Sequence, residues 1–170
     1  MQIGEAFVGS GPDAAHLNVV FGVRDGPLGP AWATALASPT TGHTPFVVVL
    51  QPGLAVKPFT LFVSKATITG ERHARMTWGP AQAGVAGGVA DALADNLIDA
   101  DWLAIAAVWV DPAASDAGAV YANNRDATLR AFIAGVQGDP DVADVLAARD
   151  EPWNPFYQRP GFIRPFGSSA

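Results

Sequence analysis

From His16 to Val23 the chain alternates, with Leu17, Val19, Phe21 and Val23 on one side of the backbone and His16, Asn18 and Val20 on the other. A period of two marks a strand with one face in a core, and it points His16 and Asn18 the same way. Residues 2–8 have extended character and end at Gly9-Ser10-Gly11-Pro12, a strong turn signal. Phe46–Gln51 is apolar and β-branched and is closed by Pro52-Gly53, which predicts a buried strand. Phe59–Ile68 predicts another, in which Lys65 and Thr67 share a face. Trp102–Val110, closed by Asp111-Pro112, completes the strand candidates.

Between them lie segments of helical character. Ala31–Ala37 is rich in helix formers. Pro80 opens a long small-residue helix from Ala81 to Leu97, since a proline in the first turn lacks only an N–H that has no partner there. Gly87 and Gly88 weaken that helix by roughly 1 kcal/mol each relative to Ala, unless close packing compensates. Residues 124–137 suit a helix with Leu129, Phe132, Ile133 and Val136 at core spacing. This order of elements predicts one α/β or α+β domain over residues 1–137. Residues 138–170 form a Pro-rich tail with Trp153, Phe156, Tyr157, Phe162 and Phe166. So many aromatics are costly to leave in water, so the tail is expected to dock on the body or on a neighbouring subunit.

Composition narrows the function classes. Of the 170 residues, 49% are apolar and only 15% charged, which suggests surface buried between subunits. A net charge of −6 with no basic cluster argues against nucleic acid and against anionic membranes. There are no cysteines, which excludes disulfides, thiolate-bound zinc and cysteine nucleophiles, and permits a cytoplasmic location. Met1 to Ser10 does not read as a signal peptide. No apolar run approaches the roughly 20 residues a bilayer requires.

Common catalytic templates are missing as well. His16, His43 and His73 fall in no metal-ligand spacing, and no dinucleotide fingerprint, phosphate loop or serine elbow is present. What remains is His16 with Asn18 on one strand, Lys65 with Thr67 on another, and the Gln82 amide near a helix start. If these five groups converge, they suit a hydrogen-bonding heterocycle and a proton transfer near neutral pH. Spacing alone leaves open a plain alternative, with His16 a satisfied half-buried histidine and Lys65 a solvated strand residue. His43 reads as a structural hydrogen-bonding residue, His73 as part of a polar surface stretch with Glu71, Arg72 and Arg75, and Trp78 as wall packing.

Several motifs in order carry a more specific signal. Ile3-Gly4-Glu5-Ala6-Phe7-Val8-Gly9 followed by Ala15-His16 resembles the opening of the formaldehyde-activating enzyme family. The likeness runs on through Gly42-His43-Thr44-Pro45, Val56-Lys57-Pro58, Thr60-Leu61, Lys65-Ala66-Thr67-Ile68 and Gly79-Pro80-Ala81-Gln82, with Trp78 in place of the family's phenylalanine. It spans about residues 2–136. The resemblance implies an α+β two-layer fold like the second domain of ribosomal protein S5, and ring-shaped homopentamers. It implies condensation of formaldehyde with tetrahydromethanopterin, a co-substrate held between subunits, without a tightly bound cofactor or metal. It places the proton donor at His16 and pterin contacts at Asn18, Val47, Lys65, Thr67 and Gln82. Val47 stands where many members have leucine, and Asn18 where the family has aspartate. Losing that carboxylate removes a charge that would favour a protonated imidazole. Two outcomes follow: a condensing enzyme, or a homologue that binds pterin or formaldehyde with little turnover.

Overall fold

The computed structural model describes residues 1–154. Five strands form one mixed sheet in the order β1 (Gln2–Val8), β2 (Ala15–Val23), β7 (Trp102–Trp109), β6 (Phe59–Ser64), β3 (Phe46–Val47). β2 runs antiparallel to both β1 and β7, β6 lies parallel to β7, and β3 pairs antiparallel with β6. A small second ladder pairs β4 (Val49–Gln51) with β5 (Leu54–Ala55).

The alternation along β2 does what its pattern predicts over most of its length. Leu17, Val19 and Phe21 are fully buried on the helix side, while His16 and Asn18 face the other way; Val23, expected in the core, is exposed. Helices α3 (Gln82–Ala94) and α4 (Ala117–Gln137) pack on each other, and α4 lies against β1 and β2. Phe21 meets Phe132 of α4 edge to face, ring centroids 4.8 Å apart. Burying each such ring stabilises the fold by roughly 1.5–3 kcal/mol. α1 (Leu28–Ala37) packs against β2 and β7. The fold is α+β, a mixed sheet with helices.

The structure departs from the sequence expectations at several places. The single strand expected over 46–51 is divided at Val48. Its N–H donates to Thr60 O (2.9 Å) and its carbonyl accepts from Val56 N (3.1 Å), so the chain leaves one ladder for the other there. The strand expected to reach Ile68 ends at Ser64, whose hydroxyl donates to Ala66 O (2.7 Å) and bends the chain out of the sheet. A helix precedes the one expected from Pro80: α2 (Gly70–Met76) runs through a π turn, Thr77–Ala81, into α3. Contrary to its surface assignment, His73 on α2 is buried. Its Nδ1 accepts from Thr69 N (3.1 Å) and its Nε2–H donates to Val110 O (3.0 Å), so no ring nitrogen is left unpaired. α4 begins earlier than residue 124, because Asp116 caps it by accepting from Gly118 N and Ala119 N. Its buried stripe is Val120, Asn124, Ala127, Thr128, Ala131, Phe132 and Gly135, while Val136 is exposed. Small residues occupy that stripe because the backbones approach closely: a Cβ on Gly4 would fall 1.7 Å from Ala131 O.

After α4 comes α5 (Val142–Ala148), whose residues are all exposed on this chain, including Val142, Val145 and Leu146. The docking expected of the tail falls on 138–170, of which 155–170 lie outside the described residues. No described helix is long and apolar enough to cross a membrane.

Glycine in the middle of α3 is explained by α4. A Cβ on Gly88 would lie 2.5 Å from Thr128 Cβ and 2.6 Å from Arg125 O, atoms of a neighbouring helix rather than a flexible tip. Gly88→Ala should therefore destabilise, the overpacking cost of about 1–3 kcal/mol exceeding the roughly 1 kcal/mol of helix propensity gained. Thermal unfolding should show the midpoint falling by a few degrees, at about 2–4 °C per kcal/mol for a chain this size. An unchanged or raised midpoint would contradict the close packing of α3 on α4.

Candidate active site

The open face of the hairpin gathers a polar group that begins with register. Glu5 pairs directly with Asn18 and Phe7 with His16 across the β1–β2 ladder. Glu5 is thus diagonal to His16, within reach for a long side chain. Its Oε1 lies 2.9 Å from His16 Nε2. On the β7 side, His16 is paired with Trp109. Lys65 follows β6 and keeps one more ladder bond, its N–H donating to Val108 O (2.8 Å), which brings its side chain back over the sheet. Lys65 Nζ donates to Asn18 Oδ1 (2.5 Å) and lies 3.5 Å from His16 Nδ1. Glu5, His16, Asn18 and Lys65 therefore form one connected group.

Its electrostatics follow from these contacts. The hydrogen bond from His16 is the main reason the Glu5 carboxyl is held below the usual carboxylate range; partial burial opposes this, and the charges of His16 and Lys65 assist. Burial pushes the Lys65 ammonium below its ordinary value, with the Glu5 charge opposing. Carboxylate and ammonium thus flank the imidazole on opposite nitrogens.

Thr67 and Gln82 lie elsewhere. Past the bend at Ser64, Thr67 Oγ1 donates to His43 Nε2 (3.2 Å), and His43 Nδ1–H donates to Ser64 O (2.7 Å). His43 thus makes structural hydrogen bonds through both nitrogens and ties the loop before β3 to the loop after β6. Thr44, its neighbour, lines a cleft of about 470 Å³ with Phe46, Val47, Val49, Trp78 and Gln82. Gln82 Oε1 accepts from Val49 N (2.7 Å), which holds β4 against the start of α3. Trp78 is exposed at the cleft rather than packed as a wall. So the structure joins His16, Asn18 and Lys65 directly, joins Thr67 to His43, and sets Val47 and Gln82 together in the cleft. Among the described residues no side-chain hydrogen bond joins these three groups. Nor do three His, Asp or Glu side chains among the described residues gather as metal ligands would.

Glu5 is the group sequence reasoning missed. It sits inside the first motif and has the parity of Ile3 and Phe7, but only the hairpin register shows that it faces His16.

Comparison with known proteins decides the family. The family model described as Formaldehyde-activating enzyme (Fae) matches residues 3–157. This chain belongs to the formaldehyde-activating enzyme family. It is 40% identical over 159 residues to the 5,6,7,8-tetrahydromethanopterin hydro-lyase of Methanosarcina barkeri (strain Fusaro / DSM 804), covering 91% of this chain and 89% of that one. It is 38% identical over 162 residues to the bifunctional enzyme Fae/Hps of Archaeoglobus fulgidus, covering 93% of this chain and 41% of the relative. A third relative, the bifunctional enzyme Fae/Hps of Methanococcoides burtonii, is 40% identical over 88% of this chain and 39% of its own length. The chain thus spans nearly the whole of the first relative and about two fifths of the bifunctional ones. In this member of the formaldehyde-activating enzyme family the Glu5 and His16 segments lie on adjacent strands, with asparagine at position 18.

A native carboxyl held low contributes stability above its unfolded value of about 4.3 and loses it as pH falls through the lower folded value. Glu5 is half-exposed, so solvent limits the pair to at most about 1 kcal/mol. In urea unfolding, wild type should exceed Glu5→Gln by that small margin at pH 6, and the gap should close as the carboxylate is protonated at acid pH. A gap that is constant from pH 6 down to 3 would mean the substitution acts through something other than the Glu5–His16 ion pair.

Proposed function

We propose that this chain condenses formaldehyde with tetrahydromethanopterin, or a close analogue, to the methylene-bridged carrier and water, a hydro-lyase reaction run in the direction of condensation. The observation that carries the reading is the imidazole of His16 set between carboxylate, ammonium and amide on an open sheet face, in a chain whose relative of nearly equal length is named 5,6,7,8-tetrahydromethanopterin hydro-lyase.

A carrier amine adds to the aldehyde carbon to give an N-hydroxymethyl group. Hydroxide leaves poorly, so His16 donates a proton to that oxygen; the C–O bond breaks, water departs, and an iminium remains. The second carrier amine attacks the iminium carbon and loses its proton, closing the methylene bridge. Holding both amines near a dilute aldehyde supplies much of the acceleration. Asn18, Lys65, Thr67, Val47 and Gln82 contact the pterin in this reading. Asn18 and Lys65 stand beside the reacting imidazole, and Gln82 and Val47 lie at the cleft. Thr67 is bonded to His43, the chain neighbour of the cleft residue Thr44. The carrier acts as a co-substrate rather than a resident cofactor. We further place the protein in the cytoplasm, as a ring-shaped homopentamer whose clefts lie between subunits. The exposed apolar residues Ile3, Val142, Val145 and Leu146 support burial against other copies.

His16→Ala should slow methylene-carrier formation by about 10²–10⁴-fold, the usual worth of a positioned acid. Rapid-mixing absorbance against the spontaneous reaction measures it. Equal rates for wild type, variant and protein-free buffer would refute the enzymatic reading.

A further inference from the structure

We propose that Glu5 is the positioning residue that holds His16 as its Nε2–H tautomer, leaving Nδ1 as the nitrogen that moves the proton. This rests on the condensation chemistry proposed above and specifies which atom performs it.

The argument starts from what each partner can do. An ionised carboxylate only accepts hydrogen bonds. With Glu5 Oε1 2.9 Å from Nε2, that nitrogen must carry the hydrogen. Lys65 only donates, and its Nζ lies 3.5 Å from Nδ1, so Nδ1 presents its lone pair there. The two contacts agree on one tautomer. They also place the neighbours on the two nitrogens differently. Nδ1 faces Lys65, which is bound to Asn18. Nε2 faces β1, occupied by Glu5 with the Phe7 ring 6.2 Å from the imidazole.

Charge supports the assignment. Asn18 has no charge, so the carboxylate beside the imidazole comes from the neighbouring strand instead. The charged groups facing His16 are Glu5 from β1 and Lys65 from the segment after β6; its β7 neighbour is Trp109, which carries no charge. In the reaction, protonated Nδ1 gives its proton to the hydroxymethyl oxygen as the C–O bond breaks and water leaves. The proton released when the second amine closes the bridge restores it. The Nε2–H stays on Glu5 throughout, as the held nitrogen does in a carboxylate–histidine pair generally.

Histidine ¹⁵N NMR of the full chain tests this directly, combined with pH–rate profiles of two variants. Above the imidazole titration, His16 should show a protonated Nε2 and a bare Nδ1, and Glu5→Ala should shift it toward a tautomer mixture. In the condensation assay, Glu5→Ala should lower kcat by about 10-fold or more with KM within about twofold. Glu5→Gln keeps an acceptor but removes the charge. It should retain most of the tautomer preference while the limb lost on raising pH moves to lower pH. A wild-type His16 protonated on Nδ1 would overturn the proposal, as would a Glu5→Ala chain with unchanged tautomer and unchanged profile. The tautomer reading needs no turnover. A wild-type chain no faster than buffer would therefore strike the condensation reading and leave the Glu5 result to be judged on its own.

Discussion

A slip of one residue between the first two strands would exchange the faces of the sheet. Leu17, Val19 and Phe21 would turn to water, and His16 and Asn18 would enter the core. The buried side is over-determined by α4, whose backbone presses on Gly4 and whose Phe132 fits against Phe21. Neither strand can shift without opening those contacts. The packing of one face thus fixes the chemistry of the other, since it sets Glu5 opposite Asn18 and diagonal to His16.

Upon that register rests a graded arrangement. The hairpin supplies a carboxylate and an imidazole; the end of β6 supplies an amine that reaches the same ring. The bend at Ser64 then directs Thr67 to His43 and away from Lys65. Beyond it, the division of a predicted strand at Val48 leaves β4 to be held by Gln82, which shapes the cleft wall. The hairpin register thus sets the polar group on the sheet, and the two short interruptions of regular strand part it from the cleft. A polar group held on strands beside a cleft suits the proposed condensation, in which positioning does much of the work.

Much of this was legible in the residues. The alternation along 16–23 placed His16 and Asn18 on one face without any structural knowledge, and the motif order identified the family. Other features depended on contacts between distant segments. Lys65 and Thr67 have equal parity but part company, because a serine side chain two residues from a carbonyl ended the strand early. His73 looked like surface among charged neighbours, yet both of its nitrogens meet backbone groups, one of them 37 residues away. Glu5 was in plain view in the first motif, and only cross-strand pairing gave it a partner. Asn18 read as a lost charge; the structure shows a carboxylate arriving on the same imidazole from the next strand.

The most direct test of the account is a crystal structure of the chain with its pterin carrier and without formaldehyde. The carrier amine that takes up the aldehyde should lie on the Nδ1 side of His16, within hydrogen-bond reach or one ordered water away, with Glu5 still on Nε2. A carrier seated wholly in the cleft at Gln82, its amines out of reach of any His16 imidazole, would contradict it.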